Sequence, residues 1–125
     1  MSGESDLSVL LASMAPELRP GAYVFGTVTG QQTAALQVLA SVEEPEGLSV
    51  VVTRDEAERN GLTYDFTAAW ITLRVHSALH AVGLTAAVSS ALAKAGISCN
   101  VIAGHHHDHL LVPHDRSLEA VRLLK

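Results

Sequence analysis

The sequence predicts an α+β fold, an antiparallel sheet with helices packed on one face. Short β-branched runs alternate along it with amphipathic helical stretches. Of the 125 residues 48% are hydrophobic but only 4% aromatic, and this Ala-, Val- and Leu-rich composition suits helices lying close on a sheet. The order of elements also repeats. VVVTRDEAER (Val50 to Arg59) returns as LLVPHDRSLEAVR (Leu110 to Arg122): an apolar triplet, a polar stop and a charged helix. A duplicated βαββαβ-like unit accounts for that rhyme, with a first copy over 1–66 more degenerate than a second over 67–125.

Leu7, Leu10, Leu11 and Met14 stand at i, i+3, i+4 and i+7, predicting a helix over Asp6–Met14 that Pro16 and the Arg19-Pro20-Gly21 turn end. Tyr23–Val28 reads as a strand, broken by Gly30-Gln31-Gln32-Thr33. Ala35–Val42 is ambiguous, and its pattern slightly favours a strand. EEPEG (Glu43 to Gly47) is a solvated turn, and Leu48–Val52 a strand. Thr53 and Glu56 then have the spacing of a capping box, in which hydroxyl and carboxylate each satisfy an amide at a helix start. Asn60-Gly61 stops that helix.

Trp70–Val75 alternates as a strand, with Ile71, Leu73 and Val75 on one face. Leu84, Val88, Ala91, Leu92 and Ala95 make the apolar stripe of a helix over Leu84–Ala95, with Gly96 as its C-terminal stop. Ser98–Ala103 and Asp108–Val112 are strands joined by a turn from Gly104. Pro113 ends the second, Asp115 caps, and a last helix over Arg116–Leu124 carries Leu118, Val121 and Leu124.

A formal net charge of −5 and eight scattered basic residues argue against nucleic acid, whose phosphates require clustered Lys and Arg. Cys99 is the single cysteine, which rules out an internal disulfide and a CxxC metal knuckle. No apolar run has membrane-spanning length, and MSGESDLS lacks the basic start of a secretion signal, so the expected location is cytoplasmic.

The segment GLTAAVSSALAKAGISCNVIAG (Gly83 to Gly104) resembles the core of an ACT domain, through Gly83, the Gly96-Ile97 turn and Asn100. The chain as a whole is similar to small stand-alone bacterial tandem ACT proteins and to aspartate kinase regulatory ACT domains. A more distant likeness is to the eukaryotic cytosolic arginine sensor. The resemblance implies a tandem of ferredoxin-like βαββαβ units and a regulatory role in binding a small molecule, most simply an amino acid, often at a homodimer interface. It implies neither catalysis nor a cofactor. The site it implies joins Ser77, Val82, Gly83, Leu84 and Thr85, in the loop and helix start, to Asn100, Val101 and Ile102 on the following strand.

The chemistry of those residues agrees with a ligand that is a zwitterion. Free amides at a helix start attract a carboxylate, Gly83 lets the ligand approach closely, and Asn100 offers both donor and acceptor. Where many ACT domains carry an acidic residue a few positions earlier, this chain has His80, and a neutral imidazole cannot pair with an ammonium as a carboxylate does.

GHHHDH (Gly104 to His109) admits a rival reading. Alternation places His107 and His109 on one strand face, where they could grip zinc with His105 or His76 as third ligand. Otherwise His105 to His107 form an exposed hairpin tip and His109 fills a polar place on the sheet. A pH-sensitive interface and a ligand-free interaction module are the further alternatives. Ser77, Ser89 and Ser90 lack an elbow motif and no phosphate-binding loop occurs, so no enzyme is expected.

Overall fold

The computed structural model describes residues 14–33, 35–74 and 83–125. The expected first helix, apart from Met14, and the stretch containing Val75, His76, Ser77, His80 and Val82 lie outside them. The elements in order are β1 (Pro16–Val28), α1 (Gly30–Thr33), β2 (Ala40–Glu44), β3 (Gly47–Thr53), α2 (Arg54–Arg59), β4 (Thr67–Leu73), α3 (Leu84–Lys94), β5 (Asn100–Ala103), β6 (Asp108–Pro113) and α4 (Ser117–Leu123). A 3-10 turn over His114–Arg116 leads into α4. The contacts divide the chain into two units, Gly21–Ala68 and a second in which residues up to Pro20 join Ala69–Lys125.

In the second of these units the opening of β1 lies beside β4. Arg74 N–H donates to Ala15 O at 3.2 Å, and the Arg19 guanidinium stands 5.0 Å from the Trp70 ring, so the two strands run in opposite directions. The strand order is then β1, β4, β6, β5, with β5 and β6 antiparallel and Val101 opposite Leu110. That is the ferredoxin-like order, its outer strand supplied by the beginning of the chain. Ala69, Ile71 and Leu73 of β4 and Leu110 and Val112 of β6 form one core with Leu84, Ala87, Val88 and Leu92 of α3 and Ala120 of α4. Both helices therefore cover the same sheet face. Arg116 Nη2 donates to Ala95 O at 3.0 Å, tying the start of α4 to the end of α3.

In the Gly21–Ala68 unit the order is β2-β3-β1. β1 and β3 are antiparallel with Val24 opposite Val52, and β2 and β3 with Ser41 opposite Val50. Val24, Val28, Val50 and Val52 pack on Ala57 of α2. Half of the expected capping box forms: Glu56 N–H donates to Thr53 Oγ1 at 3.1 Å, while the Glu56 carboxylate turns away to accept from Gln37 N–H and Arg59.

Four expectations need correction. Pro16 and the Arg19-Pro20-Gly21 stretch lie inside a 13-residue strand rather than in a turn. A proline costs an extended chain only one donor and suits its φ, which sheets tolerate at an unpaired side. Ala35–Val42 is a strand only from Ala40. Leu36 and Val38 are loop residues that plug the core, and their alternation imitated a strand. β2 runs on through Glu43 and Glu44, so the turn is shorter than EEPEG. Leu118 is 65% exposed, because it sits about 200° around the helix from the buried Ala120.

Candidate functional site

Helix α3 begins on Gly83, whose φ of 104° lies in the left-handed region that favours glycine. Gly83 has no side chain to cap the helix, and the first turn contains no Asp or Glu. The intrahelical ladder opens with Ala87 N–H donating to Gly83 O at 2.8 Å, and the amides of Leu84, Thr85 and Ala86 precede it. They form the positive end of an 11-residue helix dipole, a cradle for a carboxylate. Leu84 anchors this start by burying its side chain in the core, whereas Thr85 is exposed.

Asn100 opens β5 and is exposed. Its Nδ2 donates to Leu111 O at a long 3.4 Å, and its Oδ1 accepts no hydrogen bond among the described residues. Val101 packs inward on the cluster that contains Leu84. Ile102 points to the opposite face, where it stands across from His109. The helix start and β5 thus share one core cluster through Leu84 and Val101, while Gly83, Thr85 and Asn100 remain at the surface. Ser77 and Val82 lie outside the described residues.

The histidines separate into two groups. The His105 and His106 rings meet edge to face with centroids 4.8 Å apart, at the hairpin tip that Gly104 N–H closes by donating to His107 O at 2.9 Å. His109 is held further down the sheet: Trp70 Nε1 donates to its Nδ1 at 3.2 Å, and Thr72 Oγ1 is 3.0 Å from the same nitrogen. Its ring stands 5.4 Å from that of Trp70. Burial pushes the His109 pKa down, the neighbouring His107 adds to that, and Asp108 acts against it. No group of three His, Cys, Asp or Glu among the described residues is gathered to hold a metal ion.

The Trp70–His109 pair and the Arg19 guanidinium over Trp70 escape a reading of sequence. Trp70 and Thr72 visibly share a strand face, but their partner depends on β6 lying next to β4, which no local pattern states. Arg74 falls just past the end of β4 and reaches Glu17 at 3.7 Å. Burial raises the Cys99 thiol pKa, which keeps it a packing residue rather than a nucleophile.

An ACT domain profile matches residues 2–69, and a second ACT domain profile matches residues 66–125. A Vibrio cholerae protein of unknown function, described as a possible transport protein, is 47% identical over 99% of this chain and 96% of its own, with a TM-score of 0.88. An Agrobacterium tumefaciens protein shares the fold at 19% identity and a TM-score of 0.70, over 87% of this chain and 84% of its own. The ligand-free regulatory subunit of aspartate kinase from Thermus thermophilus shares it at 12% identity and a TM-score of 0.68, over 90% and 95% of the two chains. Comparison with the curated proteins finds no match. With one profile on each half and a close relative along nearly its whole length, the chain belongs to the ACT domain family, as two ACT domains in tandem.

Proposed function

We propose that this protein is a non-catalytic regulatory module that binds an amino acid at the start of α3. The observation that carries the reading is the uncapped helix start at Gly83, with no acidic residue in its first turn. The carboxylate of the ligand sits on the amides of Leu84 and Thr85. Asn100 at the start of β5 lines the other side, its Oδ1 accepting from the ligand ammonium, while Val101 ties that strand to the core beneath Leu84 and Ile102 lies on the far face. A regulatory role fits the fold shared with the aspartate kinase regulatory subunit.

The protein works in the cytoplasm as a homodimer, in which the outermost strand β5 offers main-chain groups to a second copy. The ligand acts by binding one assembly state better than another.

A thermal-shift panel of the proteinogenic amino acids tests this. A ligand at about a hundred times its Kd stabilises the fold by about 2.7 kcal/mol, several degrees in a chain of this size. One amino acid should give such a shift, and Asn100→Ala should remove it. A panel with no shift contradicts the proposal.

A further inference from the structure

Gly26 sits in the middle of β1, and neither common reason for a glycine applies to it. Its φ is not positive, and an added Cβ would meet only ordinary contacts, Leu62 Cδ1 at 3.6 Å and Thr63 O at 3.9 Å. A side chain there would point toward Leu62, on the strand face opposite to Phe25 and Thr27. A cavity of about 570 Å³ opens beside Gly26, within the Gly21–Ala68 unit, between β1, β3 and the turn over 61–65. That volume is in the range of small-molecule sites, and glycine within a strand is a frequent mark of close ligand approach.

The walls specify a chemistry. Phe25 is 37% exposed and is braced by stacking on Phe66, with centroids 6.5 Å apart. With Leu62 it forms an apolar side. Among the described residues, Asp65 is the one charged group lining the cavity, with neither Lys nor Arg beside it there. The neighbouring carboxylates deepen this bias. Tyr64 Oη, on the wall, donates to Glu58 at 2.7 Å, and Ser49 donates to Glu44. Arg54 and Asp55, of opposite sign, also act on the Tyr64 hydroxyl.

We infer that this cavity is a second ligand site, one for a small organic cation. Its ammonium pairs with Asp65, and its apolar part lies against Phe25 and Leu62, where an aromatic face also favours a cation. The site is independent of the one at Gly83: it belongs to the other unit and prefers the opposite charge.

The test is an amide NMR titration of the full chain with phenethylamine, which lacks a carboxylate, beside its uncharged counterpart 2-phenylethanol. Phenethylamine should move the amides of Gly26, Thr63 and Asp65 saturably. Asp65→Asn should weaken that binding about fivefold, as loss of an exposed ion pair does, and 2-phenylethanol should bind the wild type at least as weakly. Phe25→Ala should remove the aromatic wall and weaken the binding further. If that variant fails to fold, the exposed Asp65→Asn still decides. Absence of saturable shifts at these amides, or equal binding by Asp65→Asn or by 2-phenylethanol, would overturn the inference. Neither result bears on the amino-acid site.

Discussion

Trp70 Nε1 donates to both His109 Nδ1 and Thr72 Oγ1 at 3.2 Å, which brings indole, imidazole and hydroxyl together in one triangle. An indole only donates, so Nδ1 must accept, and the ring is neutral with its proton on Nε2. The Thr72 hydroxyl, 3.0 Å from Nδ1, is then a donor as well. Protonation of the ring would turn Nδ1 into a donor and break its bond from the indole. The charged and titratable groups around the ring are Arg19 from β1 and His107 and Asp108 from the β6 end of the hairpin.

The sign of the pH dependence follows. Burial lowers the folded pKa of His109 below the ordinary 6.5, so the unfolded chain takes up a proton first as pH falls. Stability from this group is complete above 6.5, declines as pH drops through that value, and levels off below the folded pKa. Melting temperature against pH should therefore slope less in His109→Gln than in the wild type. Fluorescence of Trp70, the single tryptophan, should follow the same transition and lose it in the variant. Identical slopes would show that other histidines are responsible.

Glu56 should act at the acid end. Its carboxylate is buried, 8% exposed, accepts from Gln37 N–H at 2.9 Å and pairs with Arg59 at 2.5 Å. The Gln37 amide, then Arg59, lowers its pKa from the ordinary 4.5. The resulting stability is present above 4.5 and is lost as pH falls through the lower folded value. Glu56→Gln should be less stable than wild type near neutral pH in urea, and the difference should shrink on acidification. Thr53→Ala, which removes only the helix cap, should cost about 1 kcal/mol.

The two leucine-bearing helices give a contrast. Leu92 is fully buried in α3, so Leu92→Ala should cost about 2–5 kcal/mol in urea unfolding. Leu118→Ala should change stability by less than about 0.5 kcal/mol. Equal losses would mean that α4 packs on a different face.

At the proposed site, stability and binding should separate. Gly83→Ala forces a side chain to a φ of 104° and should cost more than about 1 kcal/mol. Asn100→Ala removes only an exposed residue with a long hydrogen bond and should leave unfolding nearly unchanged while weakening the amino acid about tenfold.

What the sequence made legible was local. The Thr53 cap, the α3 stripe with its Gly96 stop, and the alternation of β6 each depend on a few adjacent residues, and each formed. The misreadings arose where tertiary packing decides. Leu36 and Val38 alternate like a strand because a loop held by Glu56 pushes both into the core. Pro16 and Pro20 look like breakers, yet the strand carrying them completes a sheet begun at Thr67. The cavity at Gly26 was invisible for the same reason, since its far wall comes from a turn more than thirty residues later.

The most direct test of the regulatory reading is where an amino acid lands. Amide NMR of the labelled protein with each proteinogenic amino acid should show one that saturably moves Gly83, Leu84, Thr85 and Asn100 while leaving Gly26 and Asp65 in place. Shifts confined to other residues, or none from any amino acid, would contradict it.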